Sequence, residues 1–332
     1  MQRTWVRMLL VLTAVILALG IGTYLVGKDH YLRHGPLQRT KIIIVEKGAS
    51  VAKIASYLLQ SSVINNAIIF RLGVQYHGMY TAKLRAGEYA IPAGASMQSV
   101  ATIIASGNTV KRRLTIAEGL LSVQIIEAIR GAPGLKGKIP KSTLKEGVFL
   151  PETYFYSYGD TRVALLLRMR QKLKSELKRI WVQRPAGSWL QSSSEGLVLA
   201  SIIEKETGKS AERAHISGVF HNRLRHGMAL QSDPTVAYSV TMGRSILKRP
   251  LTKADLRTIS PFNTYLIRGL PPTPIANPGV AAIRAAVLPI KTSDLYFVAD
   301  GTGGHAFART LRGHNRNVAR WRKLRKKSRD KN

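Results

Sequence analysis

The sequence predicts an α+β protein with three parts: an N-terminal transmembrane helix, a small α+β module and a larger C-terminal α+β domain. Three observations predict this layout. An uncharged apolar run lies near the N-terminus, a short strand–glycine–helix pattern recurs after it, and a long apolar helix precedes turn-rich segments and an apolar strand. With 332 residues the chain exceeds the usual size of one domain, so more than one is expected.

The chain is strongly basic, with 51 Lys and Arg against 18 Asp and Glu and a formal net charge of +33. Such a charge attracts polyanions: nucleic acid, anionic lipid or acidic polymers of the cell envelope. We find no zinc finger, no RNA-recognition aromatic signature and no clear recognition helix, so specific nucleic-acid binding is not expected. The absence of cysteine excludes disulfides, CxxC redox chemistry and thiolate metal sites.

The apolar run Met8–Val26 is bounded by Arg7 and Lys28. At about 1.5 Å per residue it just spans a hydrocarbon core of roughly 30 Å. Ala18-Leu19-Gly20 resembles a signal-peptide cleavage site, but the apolar run continues past it, which favours an uncleaved anchor. Basic residues flank both ends of the span, so the positive-inside rule does not decide the orientation. The short tail at 1–7 and the large C-terminal part favour a cytoplasmic N-terminus.

Residues 27–40 are predicted to be a linker, after which a pattern of apolar strand, glycine and apolar-periodic helix occurs three times. The three copies are Lys41–Leu59, Tyr89–Ile104 and Arg113–Ile129. The residues expected at the turns and helix N-caps are Gly48, Gly94, Gly119, Ser50 and Ser96. We predict a compact α+β module over 41–110, whose first two copies loosely resemble LysM-type glycan-binding modules.

Residues 111–194 are predicted to connect this module to the C-terminal domain. The aromatic-rich segment Gly147–Tyr158 is expected to border a groove or to pack between domains. From Thr161 to Trp181, apolar residues recur at three- and four-residue spacing with basic residues opposite, which predicts a helical arm. Arg184–Ser194 has the composition of a linker.

The segment Glu195–Arg225 begins with a helix that is apolar on nearly every side yet carries Glu204. On a helix, Glu204 falls beside Leu197, Ala200 and Ser201, while Glu206 points almost the opposite way. Apolar surroundings raise the pKa of a carboxyl group, which suits a general acid. The alternative is a salt bridge from Glu204 to a Lys or Arg of a neighbouring element.

Three polar, turn-rich segments follow this helix: Gln231–Tyr238, Ser260–Gly269 and Leu270–Gly279. Ile283–Val287 is predicted to be a short helix and Leu295–Asp300 a buried strand. The Gly301–His305 sequence GTGGH lacks the P-loop and dinucleotide-binding spacings, so a hairpin turn is expected there.

The C-terminal end is basic. Arg309–Asn332 holds 11 Lys and Arg against one Asp, and residues 319–332 are predicted to be a solvated or membrane-facing tail. His305 and His314 have no zinc-binding spacing, so no metal site is predicted.

Several long motifs occur in one order: LASIIEKET, SAER, VFHNRLRHGMALQSDPTVAY, SPFNTYLIRGLPPTPIANPG and LYFVADGTGGHAFARTLRGHN. Together they closely resemble the YceG-like family of endolytic murein transglycosylases, over residues 41–318 and most strongly over 195–315. The chain departs from the family pattern at Thr273, at Phe262 and in its long basic tail. None of these departures involves Glu204.

The resemblance implies a catalytic domain at 195–318 that cleaves the β-1,4 bond between N-acetylmuramic acid and N-acetylglucosamine within peptidoglycan strands. It implies that Glu204 is the catalytic residue and that no cofactor is used. It also implies an inner-membrane protein whose C-terminal domain lies outside, with peptidoglycan synthases as possible partners.

Five further residues lie in polar or aromatic loops, where amides and aromatic rings suit sugar hydroxyls and ring faces. These candidate substrate-binding residues are Gln231, Asp233, Tyr238, Asn263 and Tyr265. For each, a structural role is the alternative: Asp233-Pro234 as a turn, for example, and Asn263 as a cap. Glu206 and Glu212 are expected to form salt bridges, with Lys209 and Arg213 close in sequence.

Three other functions stay open. A hydrolytic muramidase of the same architecture would use Asp233 or Glu212 as its base and leave reducing ends. A non-catalytic glycan-binding scaffold would cut nothing. Charge-driven nucleic-acid binding would weaken steeply with salt, and the membrane span argues against it.

Overall fold

The structure, a computed structural model, describes residues 2–76, 84–140 and 144–329. The chain forms two compact units. Unit 1 contains the chain up to Arg112 together with Ser157–Gly159, and unit 2 contains Arg113–Tyr156 and the chain from Asp160 onward. Helices and short two-stranded sheets occur in both units, which confirms the α+β class. Parts of the predicted segments, at Met1, 77–83, 141–143 and 330–332, lie outside the described residues.

Helix α1 (Gln2–Leu32) contains the predicted span. Its Arg7–Leu32 portion is long and apolar enough to cross a membrane, and none of its apolar window is buried against the rest of the protein. The helix continues past Val26 to Leu32, so residues 27–32 of the predicted linker are helical. The reason is packing: Tyr31 is buried in the core of unit 1, where its ring lies against Gly73.

The rest of unit 1 is built on an antiparallel pair of strands, β1 (Lys41–Val45) and β2 (Gly87–Ile91), with Lys41 opposite Ile91. Helices α2 (Val51–Gln60) and α3 (Ala67–Tyr76) lie between these strands in sequence, and α4 (Met97–Ser106) follows them. The buried core includes Ile43, Leu58, Phe70, Tyr89 and Ile104. The likeness of this strand–helix–helix–strand order to a LysM module stays a prediction.

The turns and caps predicted in unit 1 are confirmed. Gly48 and Gly94 have φ angles of 82° and 65°, in the left-handed region that favours glycine. The Ser50 hydroxyl accepts a hydrogen bond from Lys53 N at 3.2 Å, and the Ser96 hydroxyl accepts one from Ser99 N at 3.1 Å. Each serine therefore satisfies a backbone donor at the start of its helix.

Glu88 of β2 carries a buried carboxylate that pairs with Arg112, the first residue of β3 (Arg112–Thr115). Arg112 donates from Nε at 2.8 Å and from Nη2 at 2.6 Å, and only 3% of the Glu88 side chain is exposed. This two-pronged contact fixes the end of the unit 1 chain to its sheet.

Unit 2 begins with the third strand–glycine–helix copy. Strand β3 pairs with β4 (Thr153–Tyr156), and Gly119, with φ 73°, precedes α5 (Ser122–Gly131). The predicted helical arm is α6 (Arg162–Trp181). Its N-terminal half packs against α5, and its C-terminal half packs in the main core of unit 2. The arm is therefore part of the core of unit 2, where a connection between domains was expected.

The main core of unit 2 surrounds α7 (Ser193–Glu206), with α8 (Arg213–Arg225), α9 (Asp233–Thr241) and α10 (Val280–Val287). Consecutive residues of α7, from Val198 to Ile203, are buried, because other elements cover this helix on nearly all sides. The predicted helix at Ile283–Val287 lies within α10.

The C-terminal end forms a hairpin, β5 (Tyr296–Ala299) and β6 (His305–Ala308), followed by α11 (Leu311–Arg329). The hairpin turn predicted from GTGGH is confirmed. Strand β5 is half-buried, whereas a buried strand was expected. The predicted tail continues as a helix through Arg329, and Leu324 of this helix lies against Gly301 of the hairpin turn.

We expect Glu88→Ala to lower the free energy of unfolding of unit 1 by about 1–3 kcal/mol, because two charge-assisted hydrogen bonds are lost. Amide hydrogen exchange of β1 and β2 in the detergent-solubilised full chain measures this change. Glu46→Ala is the matched control, since its pair with Lys53 leaves 67% of both side chains exposed. That control should change the same quantity by less than about 1 kcal/mol. Equal protection of the β1 and β2 amides in the two variants would contradict a stabilising role for the Glu88–Arg112 pair.

Candidate functional site

Glu204 lies in the last turn of α7, and its side chain is 5% exposed. Each carboxylate oxygen has one donor: Arg213 Nη2 lies 3.1 Å from Oε1, and the backbone nitrogen of Gly279 lies 2.9 Å from Oε2. Arg213 is the first residue of α8, and Gly279 is the N-cap of α10. The ends of three helices therefore meet at this carboxyl group.

A second carboxylate, Glu118, lies beside Glu204. Glu118 Oε2 is 3.4 Å from the same Nη2 atom of Arg213. Because one nitrogen contacts both groups, their two oxygens are closer together than the sum of these two distances. Gly279 makes this possible, since a Cβ atom there would lie 1.7 Å from Glu118 Oε1. The Glu118 side chain is 42% exposed, so the site opens to solvent on this side.

Burial raises the pKa of Glu204 above its ordinary value. The hydrogen bond from Gly279 and the positive charge of Arg213 oppose this rise, and the negative charge of Glu118 adds to it. The sequence left two interpretations of Glu204, a carboxyl group in apolar surroundings or a salt-bridged one, and the structure combines both. Glu204 therefore keeps its proton to higher pH than an exposed glutamate does, and the Arg213 guanidinium beside it stabilises the ionised form.

The segment Leu270–Gly279 is fastened to α7 and to the loop before α5. Ser201 Oγ in α7 accepts a hydrogen bond from Ile275 N at 3.0 Å. The Gly119 N–H donates to the carbonyl of Asn277 at 2.9 Å. These contacts fix the Gly279 N–H and Glu118 around the same carboxyl group.

A buried polar network supports this arrangement from behind. Asn277 is fully buried, and its amide nitrogen donates to Ser122 Oγ at 3.0 Å and to Glu146 Oε1 at 2.9 Å. The Ser122 backbone N–H also donates to Glu146, at 2.7 Å. Burial raises the pKa of Glu146, and these hydrogen bonds oppose the rise. Because Asn277, Ser122 and Glu146 are all hydrogen-bonded to one another, the network holds the Asn277 region in one conformation.

Glu206 occupies the opposite face of α7. Its carboxylate accepts a hydrogen bond from the Ser232 hydroxyl. Burial raises the pKa of Glu206 to about 7, against the Ser232 hydrogen bond and the nearby charges of His305 and Arg223. No salt bridge to Glu206 is found among the described residues, so the expected pairing with Lys209 or Arg213 is wrong.

Glu212 pairs with His305, where Lys209 or Arg213 was expected. His305 Nδ1 lies 2.8 Å from Glu212 Oε2, and the His305 backbone N–H donates to Oε1 at 3.1 Å. This pair forms because β6 places the backbone N–H and the imidazole of His305 against Glu212, whereas Arg213 contacts Glu204. In the parts of the chain that the structure describes, no group of His, Asp and Glu could hold a metal ion.

Three of the predicted substrate-binding residues lie together on the Glu206 side of α7. Gln231 and Asp233 flank Ser232 and are exposed. Gln231 has φ 50°, a left-handed conformation that costs free energy for a residue other than glycine. The Tyr265 hydroxyl donates to Asp233 Oδ1 at 2.7 Å. Asp233 and the half-buried Tyr265 are thus in contact, and the exposed Gln231 lies two residues before Asp233.

Tyr238 and Asn263 have different surroundings. The Tyr238 ring is half-buried with its centroid 4.8 Å from that of Phe262, and burial raises the pKa of its hydroxyl to about 12. Asn263 is fully buried, and its amide donates to the carbonyls of Leu256 at 3.1 Å and Thr258 at 2.9 Å. The structure therefore corrects the expectation for Asn263: its side chain supports the loop from inside and is not available to a sugar.

Four residues of the site were not singled out from the sequence: Glu118, Arg213 as a partner of Glu204, Glu146 and Asn277. Glu118 directly precedes a glycine that was expected to turn, and Asn277 lies in the motif IANPG. Both were visible as motifs, but their partners are distant in sequence. Only the fold brings them to α7.

Comparisons with known proteins identify the family of the chain. The model of the YceG-like family matches residues 43–320. The endolytic murein transglycosylase of Bacillus subtilis (strain 168) is 31% identical, over 89% of this chain and 89% of that relative. The endolytic murein transglycosylase of Streptococcus pneumoniae serotype 2 (strain D39 / NCTC 7466) is 29% identical over 83% of this chain, which spans 57% of that longer relative.

A solved structure is also similar. The crystal structure of a yceG-like protein from Listeria monocytogenes superposes with a TM-score of 0.52 at 29% identity, over 84% of this chain and 99% of that chain. The family match covers most of the sequence, both units included, and the motifs around Glu204 lie within it. The chain belongs to the YceG-like family.

Proposed function

We propose that this protein is a membrane-anchored lytic transglycosylase that cleaves peptidoglycan within its glycan strands. The bond cut is the β-1,4 linkage from N-acetylmuramic acid to N-acetylglucosamine, and the product carries a 1,6-anhydro-muramic end. The single observation that carries the proposal is Glu204: a buried carboxyl group of raised pKa with a donor on each oxygen, in a family whose relatives are named endolytic murein transglycosylases.

In the proposed reaction Glu204 acts twice. Its proton passes to the glycosidic oxygen as the bond from C1 to that oxygen breaks. The C6 hydroxyl of the same muramic residue then bonds to C1, and its proton returns to Glu204. No water is consumed, and the glutamate ends in the state in which it began. A hydrolase would generally need a second carboxylate as nucleophile or to activate water.

The contacts of Glu204 suit both halves of this cycle. Each carboxylate oxygen has two lone pairs, so one oxygen can hold the proton while both keep their donors. Once the proton has left, the Arg213 guanidinium and the Gly279 N–H stabilise the carboxylate. The exposed surface at Gln231, Asp233 and Tyr265 is proposed to bind the glycan, with Tyr238 as a further contact. The reaction as written uses no cofactor or metal.

The location follows from α1. We propose that Met8–Val26, which lies within the apolar helix α1, anchors the protein in the cytoplasmic membrane as a single span, with residues 1–7 inside and the chain after the span outside. Peptidoglycan lies on that outer side, and a LysM-like module at 41–110 would add glycan affinity. Peptidoglycan synthases are the proposed protein partners, since strand cleavage and strand synthesis act on the same polymer.

A hydrolytic muramidase is the second candidate, favoured by the nearness of Glu118 to Glu204. The bases considered from the sequence have other partners: Asp233 accepts the Tyr265 hydroxyl, and Glu212 is paired with His305. A non-catalytic scaffold is the third candidate, and it predicts wall binding without cleavage.

We expect Glu204→Gln to reduce cleavage at least about 100-fold, because the amide can neither donate nor take the catalytic proton. The measurement is mass spectrometry of fragments from purified peptidoglycan treated with the detergent-solubilised full chain. Internal fragments with 1,6-anhydro-muramic ends, lost in the variant, are the expected result. Reducing ends would favour the muramidase, and intact wall binding without cleavage by the wild type would favour the scaffold.

Glu206→Gln is the matched control for this substitution, since it also replaces a buried carboxyl group of α7. It should keep most of the cleavage activity, because Glu206 faces Ser232 on the other side of the helix. Loss of cleavage in Glu206→Gln with activity retained in Glu204→Gln would reassign the acid to Glu206.

The rate should depend on pH in one direction. Glu204 must begin protonated and its pKa is raised, so kcat/KM should be high at acid pH and fall as pH rises through that pKa. The fall should approach tenfold per pH unit, and its midpoint should lie above the range of an exposed glutamate. A rate that rises with pH over this range would show that Glu204 is needed first as a base.

We expect Gln231→Gly to raise KM about 2- to 10-fold with kcat little changed, because a neutral hydrogen-bonding side chain is removed from the proposed glycan surface. Glycine accepts the left-handed backbone found at this position, so the loop should keep its shape. Asn263→Ala provides the contrast: it should lower thermal stability, since two backbone carbonyls lose their donor. An unchanged KM in Gln231→Gly would remove Gln231 from the binding surface.

A further inference from the structure

We propose that Glu118 is a positioning residue that shares the positive charge of Arg213 with Glu204, so that Glu204 can hold the proton it must donate. The inference rests on the proposed function and adds to it how the acid is kept protonated. Its basis is geometric: one guanidinium nitrogen lies between two carboxylates, at 3.1 Å from Glu204 and 3.4 Å from Glu118.

An arginine paired with one buried glutamate would work against a general acid. Only 11% of the Arg213 side chain and 5% of the Glu204 side chain are exposed, so solvent screens their attraction weakly. A cation at this distance favours the ionised carboxylate. If Glu204 were the sole anion facing Arg213, it would tend to be deprotonated before substrate arrives.

Glu118 changes this balance by supplying a second anion to the same guanidinium. With Glu118 ionised, Arg213 stays neutralised whether Glu204 is protonated or not. The three groups together then carry no net charge when Glu204 holds its proton and one negative charge after it has donated it. The approach of Glu118 depends on Gly279, because any side chain there would clash with its carboxylate.

Among the described residues, Lys205 and the Gly279 N–H also act on Glu204. Lys205, the next residue of α7, donates from Nζ to the carbonyl of Gly119 at 3.2 Å, and its charge also favours the ionised form of Glu204. The Gly279 N–H acts in the same direction. Arg213 contacts both carboxylates through its Nη2 atom. Its Nε atom is buried and has no hydrogen-bond partner in the described structure. Glu118 is therefore the group that offsets these cationic and donor contacts.

The test is the pH profile of kcat/KM for Glu118→Gln in the detergent-solubilised full chain, with purified peptidoglycan as substrate. Removing the second anion directs the whole charge of Arg213 at Glu204, so the alkaline fall in rate should move to lower pH by about 1 unit. At acid pH the activity of Glu118→Gln should approach that of the wild type. Glu118→Asp keeps a carboxylate, so its alkaline fall should lie between those of Glu118→Gln and the wild type. Glu127→Gln is the control, since Glu127 is a surface residue with 75% of its side chain exposed, and it should leave the profile unchanged.

Arg213→Gln combined with Glu118→Gln gives a second, independent readout. Removing the cation as well as the anion should return the alkaline fall to higher pH than in Glu118→Gln alone. This rescue would support charge sharing. If the role of Glu118 were merely structural, the double variant would lose more kcat/KM at every pH than Glu118→Gln does.

Two results would overturn the proposal. One is an equal loss of rate at every pH in Glu118→Gln, which would leave Glu118 with a structural role. The other is loss of all cleavage together with reducing ends among the wild-type products, which would make Glu118 the second carboxylate of a hydrolase. Failure of the proposed function itself is read without any Glu118 variant: reducing ends from the wild type, or cleavage retained by Glu204→Gln, would refute it.

Discussion

The contact of the buried Glu204 carboxyl group with Arg213 and the Gly279 N–H is the interaction on which the rest of unit 2 depends. A carboxyl group withdrawn from water is stable only where donors meet it. Here those donors lie at the N-terminal ends of α8 and α10. Both helix ends must therefore pack against the same turn of α7. The burial that raises the pKa of Glu204 also requires these donors, and so it fixes three helices relative to one another.

The polar groups around this contact are arranged in two sets by the geometry of α7. On one face lie Glu204, Glu118 and Arg213, supported by the Asn277 and Glu146 network. On the other lies Glu206 with Ser232, which is flanked by the exposed Gln231 and by Asp233 at the start of α9. Positions two apart on a helix point in nearly opposite directions, so one short helix holds Glu204 against α8 and α10 on one side and Glu206 against Ser232 on the other.

Much of the fold follows from local sequence signals. The strand–glycine–helix copies, the Ser50 and Ser96 caps and the hairpin at GTGGH depend on residues close in the chain, and all were predictable. The partners of Glu206 and Glu212 were not, because Ser232 and His305 reach them only through tertiary packing. Asn263 shows the same limit, since a polar residue in a loop motif can point inward when nearby carbonyls need a donor.

The absence of a break between α1 and the core of unit 1 has a consequence for reach. A flexible tether of n residues would let its cargo sample distances of roughly 5–6 Å × √n. Here Tyr31 is buried against Gly73 while still within the helix that contains the apolar window, so unit 1 has no such freedom. If α1 is the anchor, the core of unit 1 stays at a fixed height above the bilayer, because it can move only together with the helix.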